Sequence, residues 1–349
     1  MKVVIGLSGG VDSAVSAKKL LADGYNVIGL FLDITEKGDN PELLSAKMLA
    51  EKLDIEFIVK NIHDELNEKI CAYFVNSYLK GETPNPCILC NPEVKFAALL
   101  STANEYGAEK IATGHYAGVE FSAEYNRYIL KKGNTERDQS YMLYRLKQEA
   151  LSRVVFPIGS AEKKIVRTMA AEISDEIANK PDSMEICFIT DNNYIAYLED
   201  YIAKKNIKIP EGNFVSLNGQ IMGKHKGIHN YTIGQRKGFG INTNMPMFVK
   251  EIRPETNEVV LCAAGEEYAN KIKIFGANWI MYDNPPKTFE ADIKVRYSKT
   301  AQKGTVKILN ENEAEIEFET AVRACTKGQS AVMYKNDYCI GGGFIQKIY

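Results

Sequence analysis

The sequence predicts an α/β protein built on a doubly wound parallel sheet, followed by a small central unit and a C-terminal β-barrel. Three observations predict it. Short apolar runs alternate with helical spacing through the first third of the 349 residues, as in a parallel sheet covered by helices. From about residue 210 this rhythm gives way to glycine-rich turns and short strands, as in EGNFV, NGQIMG and HKGIHNYTIGQRKGFGI. Ala314 to Glu319 then alternates apolar with acidic residues, which marks a half-buried strand with its charges outward. The expected boundaries are 1–200, 201–270 and 271–349.

The elements follow in order. Val3-Val4-Ile5-Gly6-Leu7 is a short apolar run and hence a buried first strand. Helical spacing runs from Asp12 to Ala22 and ends at Gly24, and Val27 to Leu32 reads as a second strand. Asn40 caps a helix that opens with Pro41 and continues to Lys52. Glu56 to Val59 is a third strand, and Lys110 to Gly114 a further short one. In such sheets ligands bind beyond the carboxyl ends of the strands. Pro84 and Pro86 fix their own φ and push Thr83 and Asn85 into extended backbone, a stiff strut. Asn91 is expected to cap a helix with Pro92 in its first position, running to about Tyr106 and stopping at Gly107. Near the C-terminus, Val332-Met333-Tyr334, Cys339-Ile340 and Phe344-Ile345 read as further strands.

Bulk composition bounds the function. Hydrophobic residues make up 45% and charged residues 25%, as in ordinary soluble globular proteins. No apolar run approaches the ~18 residues of a membrane span, so no membrane partner is expected. MKVVIGLSGG is broken too soon by glycine for a signal peptide. Seven cysteines, an odd number, in a chain of this length favour reduced thiols and a cytoplasmic location over a disulfide framework. A net charge of −2 excludes a bulk polycation, so any nucleic-acid contact must come from local patches. Lys224, Lys226, Arg236 and Lys237 form one such stretch, and Lys294, Arg296, Lys299 and Lys303 another, neither containing an acid. They can meet phosphates, and Tyr231 and Tyr297 within them can stack on bases. A solvent-facing lysine-rich turn is the plainer alternative. His225 and His229 are four apart, but Gly227 between them argues against a helix presenting both to a metal, and no dedicated metal site is expected.

Two short stretches carry chemistry. Gly6-Leu7-Ser8-Gly9-Gly10-Val11-Asp12-Ser13 joins the first strand to the first helix. Adjacent glycines let backbone approach a ligand closely, and the helix start aims free N–H groups at an anion such as phosphate. Ser8 and Ser13 add hydroxyls. Asp12 is odd in a phosphate cradle unless a divalent cation intervenes, and the spacing is not the Walker pattern. The second stretch, TPNPCILCNPEVKF at 83–96, sets Cys87 and Cys90 three apart. A metal clip, a redox pair, a reactive thiol and ordinary core all remain open. The other cysteines are scattered singly, so a zinc clip lacks an obvious second pair of ligands. Cys90 falls just before the expected helix N-terminus, which lowers a thiol pKa. Cys187 sits in the apolar run Glu185-Ile186-Cys187-Phe188-Ile189, where a cysteine is usually core, and His115 alone would more often be structural.

The SGGVDS string between strand and helix resembles the PP-loop of the ATP pyrophosphatases, which implies an adenine nucleotide alpha hydrolase-like sheet. TPNPCILCN with Lys95-Phe96, ATGHYA at 112–117, RDQSY at 137–141, EICFI at 185–189, YTIGQRKG at 231–238, Arg296-Tyr297 and Gly328 to Val332 extend the match. In this order the chain resembles the tRNA-specific 2-thiouridylases over essentially its whole length. The resemblance implies that ATP with Mg²⁺ adenylates the C2 oxygen of the wobble uridine U34, after which sulfur replaces that oxygen and AMP leaves. It makes Cys187 the persulfide carrier and Cys90 the nucleophile that attacks the persulfide or closes a disulfide with Cys187. It assigns Gly6, Leu7, Ser8, Gly9, Gly10, Val11, Asp12, Ser13, Leu32 and Gly114 to ATP. Asn85, Pro86 and Cys87 would meet the target base. His115, Arg137, Asp138, Gln139, Arg296, Tyr297 and Gln329 would contact the tRNA. The implied partners are Lys, Glu and Gln isoacceptors and a cysteine desulfurase or sulfur-relay protein.

The sequence departs from that family at two places. Cys87 stands where some members carry an aspartate, and Met184-Glu185 replaces the usual Thr-Gly. The added negative charge is expected to raise the Cys187 pKa or alter docking of the sulfur donor. Three other functions compete with this reading. A catalytically impaired tRNA-binding paralogue is disfavoured by the retention of Cys90, Cys187 and the glycine loop. Another PP-loop adenylating enzyme would not need TPNPCILCN or a second cysteine. An iron–sulfur-dependent thiolase would show itself by absorbance near ~400 nm, from its thiolate-bound cluster.

Overall fold

The computed structural model describes residues 1–36, 40–133, 136–182, 186–189, 193–241, 245–298 and 300–349. Strands β1 (Lys2–Gly6), β2 (Asn26–Asp33), β3 (Glu56–Asn61) and β4 (Lys110–Ala112) precede a hairpin of β5 (Ala117–Ser122) and β6 (Arg127–Lys132), and then the short β7 (Val154–Val155). One parallel sheet runs in the order β3-β2-β1-β4-β7. The inner strands β1 and β2 are apolar on both faces because both faces are covered. Val3 and Ile5 pack with helices Val11–Ala22 and Lys163–Ala171 on one side. Val4, Ile28, Leu30 and Ile111 pack with helix Phe96–Glu105 on the other. The doubly wound sheet expected from the alternating pattern is therefore present. β1 lies between β2 and β4, so the loops after β1 and β4 leave the point where strand order reverses, the place such sheets reserve for ligands. Helix Pro41–Lys52 begins as expected, with the Asn40 side chain accepting the Glu42 N–H at 2.9 Å.

A second sheet combines β8 (Gly212–Ser216), β9 (Ile221–His225), β10 (Met247–Arg253) and β11 (Glu258–Ala263) in the order β10-β11-β8-β9. It has its own small core of Phe214, Tyr231, Val249, Val259 and Leu261. Tyr231 is thus part of that core, edge-on to Phe214 at 5.1 Å, and not the free stacking platform expected. The basic neighbours Lys224, Lys226, Arg236 and Lys237 are exposed.

The C-terminal part is a closed six-stranded antiparallel barrel of β12 (Tyr268–Trp279), β13 (Thr288–Lys294), β14 (Gln302–Asn310), β15 (Glu313–Arg323), β16 (Ser330–Lys335) and β17 (Tyr338–Ile348), with β12 pairing to both β15 and β17. Ala314, Ile316 and Phe318 point inward from β15 as the alternation requires. Cys339-Ile340 and Phe344-Ile345 lie on one strand rather than two. The intervening glycines are places of close approach, not a break. A Cβ at Gly342 would stand 2.8 Å from the Tyr144 ring, and one at Gly341 would collide with the Asn278 carbonyl.

The α/β unit and the barrel are fused. Hairpin β5–β6 adds to the barrel sheet through β17, and Val4, Tyr141 and Tyr144 share one apolar cluster with Ile272, Ile293 and Phe344. Buried hydroxyls secure the seam: Tyr141 donates to the Ser330 carbonyl at 2.9 Å, and Tyr144 meets the Ser330 hydroxyl at 3.0 Å. No helix among the described residues is long and apolar enough to cross a membrane.

Candidate active site

The loop after β1 is shaped by two steric demands. Gly9 has φ of +71°, and a Cβ there would stand 2.9 Å from the Ala46 backbone nitrogen, so only glycine fits. Gly114, after β4, packs so closely on the start of the first helix that a Cβ would lie 2.9 Å from the Asp12 carbonyl carbon. Gly10 precedes that helix without a side-chain cap, which leaves its amide end open toward the loop. The Ser13 hydroxyl accepts from the Ser8 N–H at 3.3 Å, donates to the Gly10 carbonyl at 3.0 Å and meets the Ser8 hydroxyl at 3.2 Å. Gly6 to Ser13 and Gly114 therefore form one cradle.

Asp12 has a protein partner. Lys163 donates to its two oxygens at 2.7 and 2.8 Å, and the Tyr116 hydroxyl donates to one at 2.7 Å. An intervening cation is not needed to explain this carboxylate. Lys163 also pairs with Asp182 at 2.8 Å, and Asp182 receives Arg167 at 2.9 Å and Arg137 at 2.7 Å. Burial works against the Asp182 charge, but Lys163 and Arg137 outweigh it and hold the carboxyl below the usual range. Lys180 donates to the Gly9 carbonyl at 3.1 Å. Lys163, Arg167, Lys180, Asp182 and Tyr116 were not singled out from sequence. One signal was available: helix Lys163–Ala171 opens on two lysines and no acid, which opposes the helix dipole.

The cysteine stretch departs from expectation. The helix begins at Pro86, not Pro92, with Asn85 extended before it. It continues through a π-helical turn at Asn91–Lys95 into Phe96–Glu105. Pro92 has no N–H to give the ladder and its ring crowds the preceding turn, and the wider turn accommodates it. Asn91 is not the cap; its buried amide donates to the Met142 carbonyl at 3.0 Å. Cys90 consequently lies inside a continuous helical run, 4% exposed. Burial pushes its thiol up to about 12, although Lys95 opposes this. The expected lowering by a helix end is absent. Cys87 is also raised by burial.

Cys187 is exposed, contrary to its apolar context. Ile186, Phe188 and Ile189 take the buried side of the turn, and Phe188 packs edge-on against Phe74 at 5.5 Å. Cys87, Cys90 and Cys187 all lie close enough to Lys95 to act on its charge. Burial disfavours the Lys95 ammonium, but these sulfurs as thiolates raise its pKa overall. Phe188, next to Cys187, packs against the apolar cluster that holds Cys90, so the fold brings the Cys187 turn to the Cys90 pocket, 97 positions apart in the chain. Both cysteines are free thiols. A fourth thiol, Cys71, unremarked in the sequence, shares an apolar pocket with Cys90, Ile62, Leu66 and Val94. Leu32, at the end of β2, packs against that pocket. Met184 and Glu185 lie outside the described residues. His115 lies beside Phe96 and Phe156, with Nδ1 2.8 Å from the Thr113 hydroxyl. Burial, and then Lys95, lower its pKa to about 3, so the ring is neutral.

The residues assigned to tRNA divide into two groups. Asp138 accepts from the N–H groups of Gly133 and Ser140 and from Lys294 at 3.2 Å. Lys294 is therefore buried in an ion pair and not a phosphate contact. Gln139 accepts the Tyr116 N–H at 2.9 Å. Gln329 donates to the Thr83 carbonyl at 2.8 Å, and Thr83 donates to the Lys327 carbonyl at 2.9 Å, so the barrel grips the proline strut. Arg296 is held by the Arg323 and Ala324 carbonyls. Tyr297 is 46% exposed and presents an aromatic face to solvent, with Lys303 also exposed; Lys299 lies outside the described residues. His225 and His229 are buried, and among the described residues no group of three or more metal-binding side chains occurs.

Three family models match in sequence: a tRNA methyl transferase HUP domain over residues 1–191, a tRNA methyl transferase PRC-barrel domain over 196–263, and an aminomethyltransferase β-barrel domain over 269–345. The chain is 43% identical to the tRNA-specific 2-thiouridylase MnmA of Clostridioides difficile (strain 630), over 99% of this chain and 98% of that protein. It is likewise 43% identical to the tRNA-specific 2-thiouridylase MnmA of Lachnoclostridium phytofermentans, over 99% of each. Among solved structures it matches a 4-thiouridine synthetase–RNA complex with bound ATP at 16% identity and a TM-score of 0.37, covering 59% of this chain and 51% of that one, a likeness too weak to build on.

Proposed function

The chain belongs to the tRNA-specific 2-thiouridylase family, and from that premise we propose how its residues carry out ATP-dependent thiolation of tRNA. The observation that carries the reading is spatial: one α/β unit holds both a phosphate-shaped cradle at its sheet's switch point and three thiols gathered around Lys95.

The amide end of helix Val11–Ala22 and the Ser8 and Ser13 hydroxyls receive the phosphates of ATP. The target is U34, whose C2 oxygen attacks the α-phosphorus while pyrophosphate leaves. Asn85, Pro86 and Cys87 face the base. Cys187 carries the incoming sulfur as a persulfide, and its exposure suits loading by a donor protein. The terminal sulfur attacks C2, and AMP departs. Cys90 then attacks the Cys187 sulfur, forming a Cys90–Cys187 disulfide and leaving C2=S on the base. A thiol reductant restores both cysteines for the next turnover. Attack by Cys90 requires its thiolate, which burial disfavours and the Lys95 charge favours. Closure around tRNA that brings Lys95 nearer the sulfur supplies that step. Mg²⁺ enters as the companion of the ATP phosphates. The Asp12 carboxylate is engaged by Lys163 and Tyr116, so it does not fit as a ligand for that ion, and no step runs through it.

Lys, Glu and Gln isoacceptors are the proposed substrates, with a cysteine desulfurase or relay protein as donor, in the cytoplasm. The units 1–200, 201–270 and 271–349 divide the work among chemistry, linkage and RNA contact. The test is a nucleoside assay. Unmodified tRNA, MgATP and a persulfide source are incubated with wild type, Cys90→Ser and Cys187→Ser, and the digest is examined for 2-thiouridine by mass spectrometry. The product is expected from wild type alone. Tight tRNA binding without product from wild type would instead mark an impaired paralogue.

A further inference from the structure

Lys163 is the pivot of a charge chain that ties the phosphate cradle to Asp182, five positions before Cys187. It reaches Asp12 in the first turn behind the cradle and Asp182 at 2.8 Å. Asp182 also faces Arg167 and Arg137, so three cations converge on one carboxylate. Two positions earlier, Lys180 donates to the Gly9 carbonyl within the cradle itself. Lys180 and Asp182 thus fasten one short segment to the phosphate loop at two points. Cys187 follows Asp182 by five residues, a covalent reach of at most about 17 Å.

Three cations exceed what a static tether needs. A partly buried ion pair returns little net stability once desolvation is counted, and Lys163 is only 11% exposed. The cations do match a polyphosphate, which carries more charge than a carboxylate and takes guanidinium groups bidentately. We infer that Asp182 is a positioning residue that holds Lys163, Arg167 and Arg137 until ATP binds, yields them to the phosphates, and so makes the placement of Cys187 depend on nucleotide. The inference rests on the reading that Gly6 to Ser13 bind ATP. It links the two half-reactions: the sulfur carrier is placed for transfer only when the activating nucleotide is present.

The experiment follows alkylation of Cys187 by iodoacetamide, read by peptide mass spectrometry, with and without an ATP analogue that cannot be cleaved between its α and β phosphates. Binding of the same analogue is measured calorimetrically. In wild type, saturating analogue should change the Cys187 rate at least three-fold. Asp182→Asn should bind the analogue as tightly or more tightly, yet show one rate with or without it. Asp182→Glu should restore the response. A wild-type rate unmoved by bound analogue, or a full response in Asp182→Asn, overturns the inference while leaving the ATP reading intact. Failure of wild type to bind the analogue overturns both. If Asp182→Asn does not fold, Lys163→Met carries the test: analogue binding should weaken at least ten-fold, and wild-type affinity there overturns the inference.

Discussion

The phosphate cradle and the thiol pocket are both built at the carboxyl edge of one sheet, yet they are made of different material. The cradle is backbone: a glycine at positive φ, a helix end without a cap, and two serines that tie the turn to itself. The thiol pocket is side chains gathered from three distant stretches, around Cys71, the Cys87–Cys90 helix and Cys187, with Lys95 among them. Backbone geometry is dictated locally, so the cradle arrives preformed. Side-chain electrostatics is set by what packs alongside, so the reactivity of the pocket can change whenever its neighbours move.

The first way to sharpen this contrast is Gly9→Ala. The new Cβ would meet the Ala46 nitrogen at a backbone conformation unsuited to alanine. A cost of about 1–3 kcal/mol in stability is expected, with ATP affinity lowered more than ten-fold by calorimetry. A variant that binds ATP normally would break the claim that the cradle is rigid backbone. The second addresses the pocket. Burial holds the Cys90 thiol up at about 12 and Lys95 pulls it down. Alkylation of Cys90 in the free protein should therefore climb roughly ten-fold per pH unit through pH 9, since only the thiolate reacts. Lys95→Met should slow it several-fold at each pH and move the profile to higher pH. A profile that levels off near neutrality, or one unmoved by the substitution, would show that burial and Lys95 do not govern this thiol. The smallest effect is expected at the strut. Gln329→Ala removes one hydrogen bond to Thr83, worth about 1 kcal/mol. It should raise KM for tRNA two- to three-fold while leaving the affinity for ATP unchanged; an equal loss of both would mean that the strut serves the cradle as well.

What could be read from the sequence follows the same division. The parallel strands, the Asn40 cap, the glycine loop and the Glu-alternating strand β15 depend on local spacing and were legible. The start of the cysteine helix was not, because Pro86 and Pro92 both suit a first position and only the tertiary path selects the earlier one. Asp182, Lys163 and Arg167 look like ordinary surface charges until the fold sets them beside Asp12. Lys294 reads as a phosphate contact until Asp138, 156 residues away, is found against it. Tyr231 was misjudged for the same reason, since its exposure depends on Phe214.

The apolar cluster shared by the parallel sheet and the barrel bears on cooperativity. Neither part can be peeled from the other without wetting the wall they have in common, so the two should melt in a single calorimetric transition. The central sheet, with its separate core, is free to melt on its own. A truncation at the end of the α/β unit is therefore expected to yield not a smaller folded protein but an insoluble fragment, its half of the common wall left open to water.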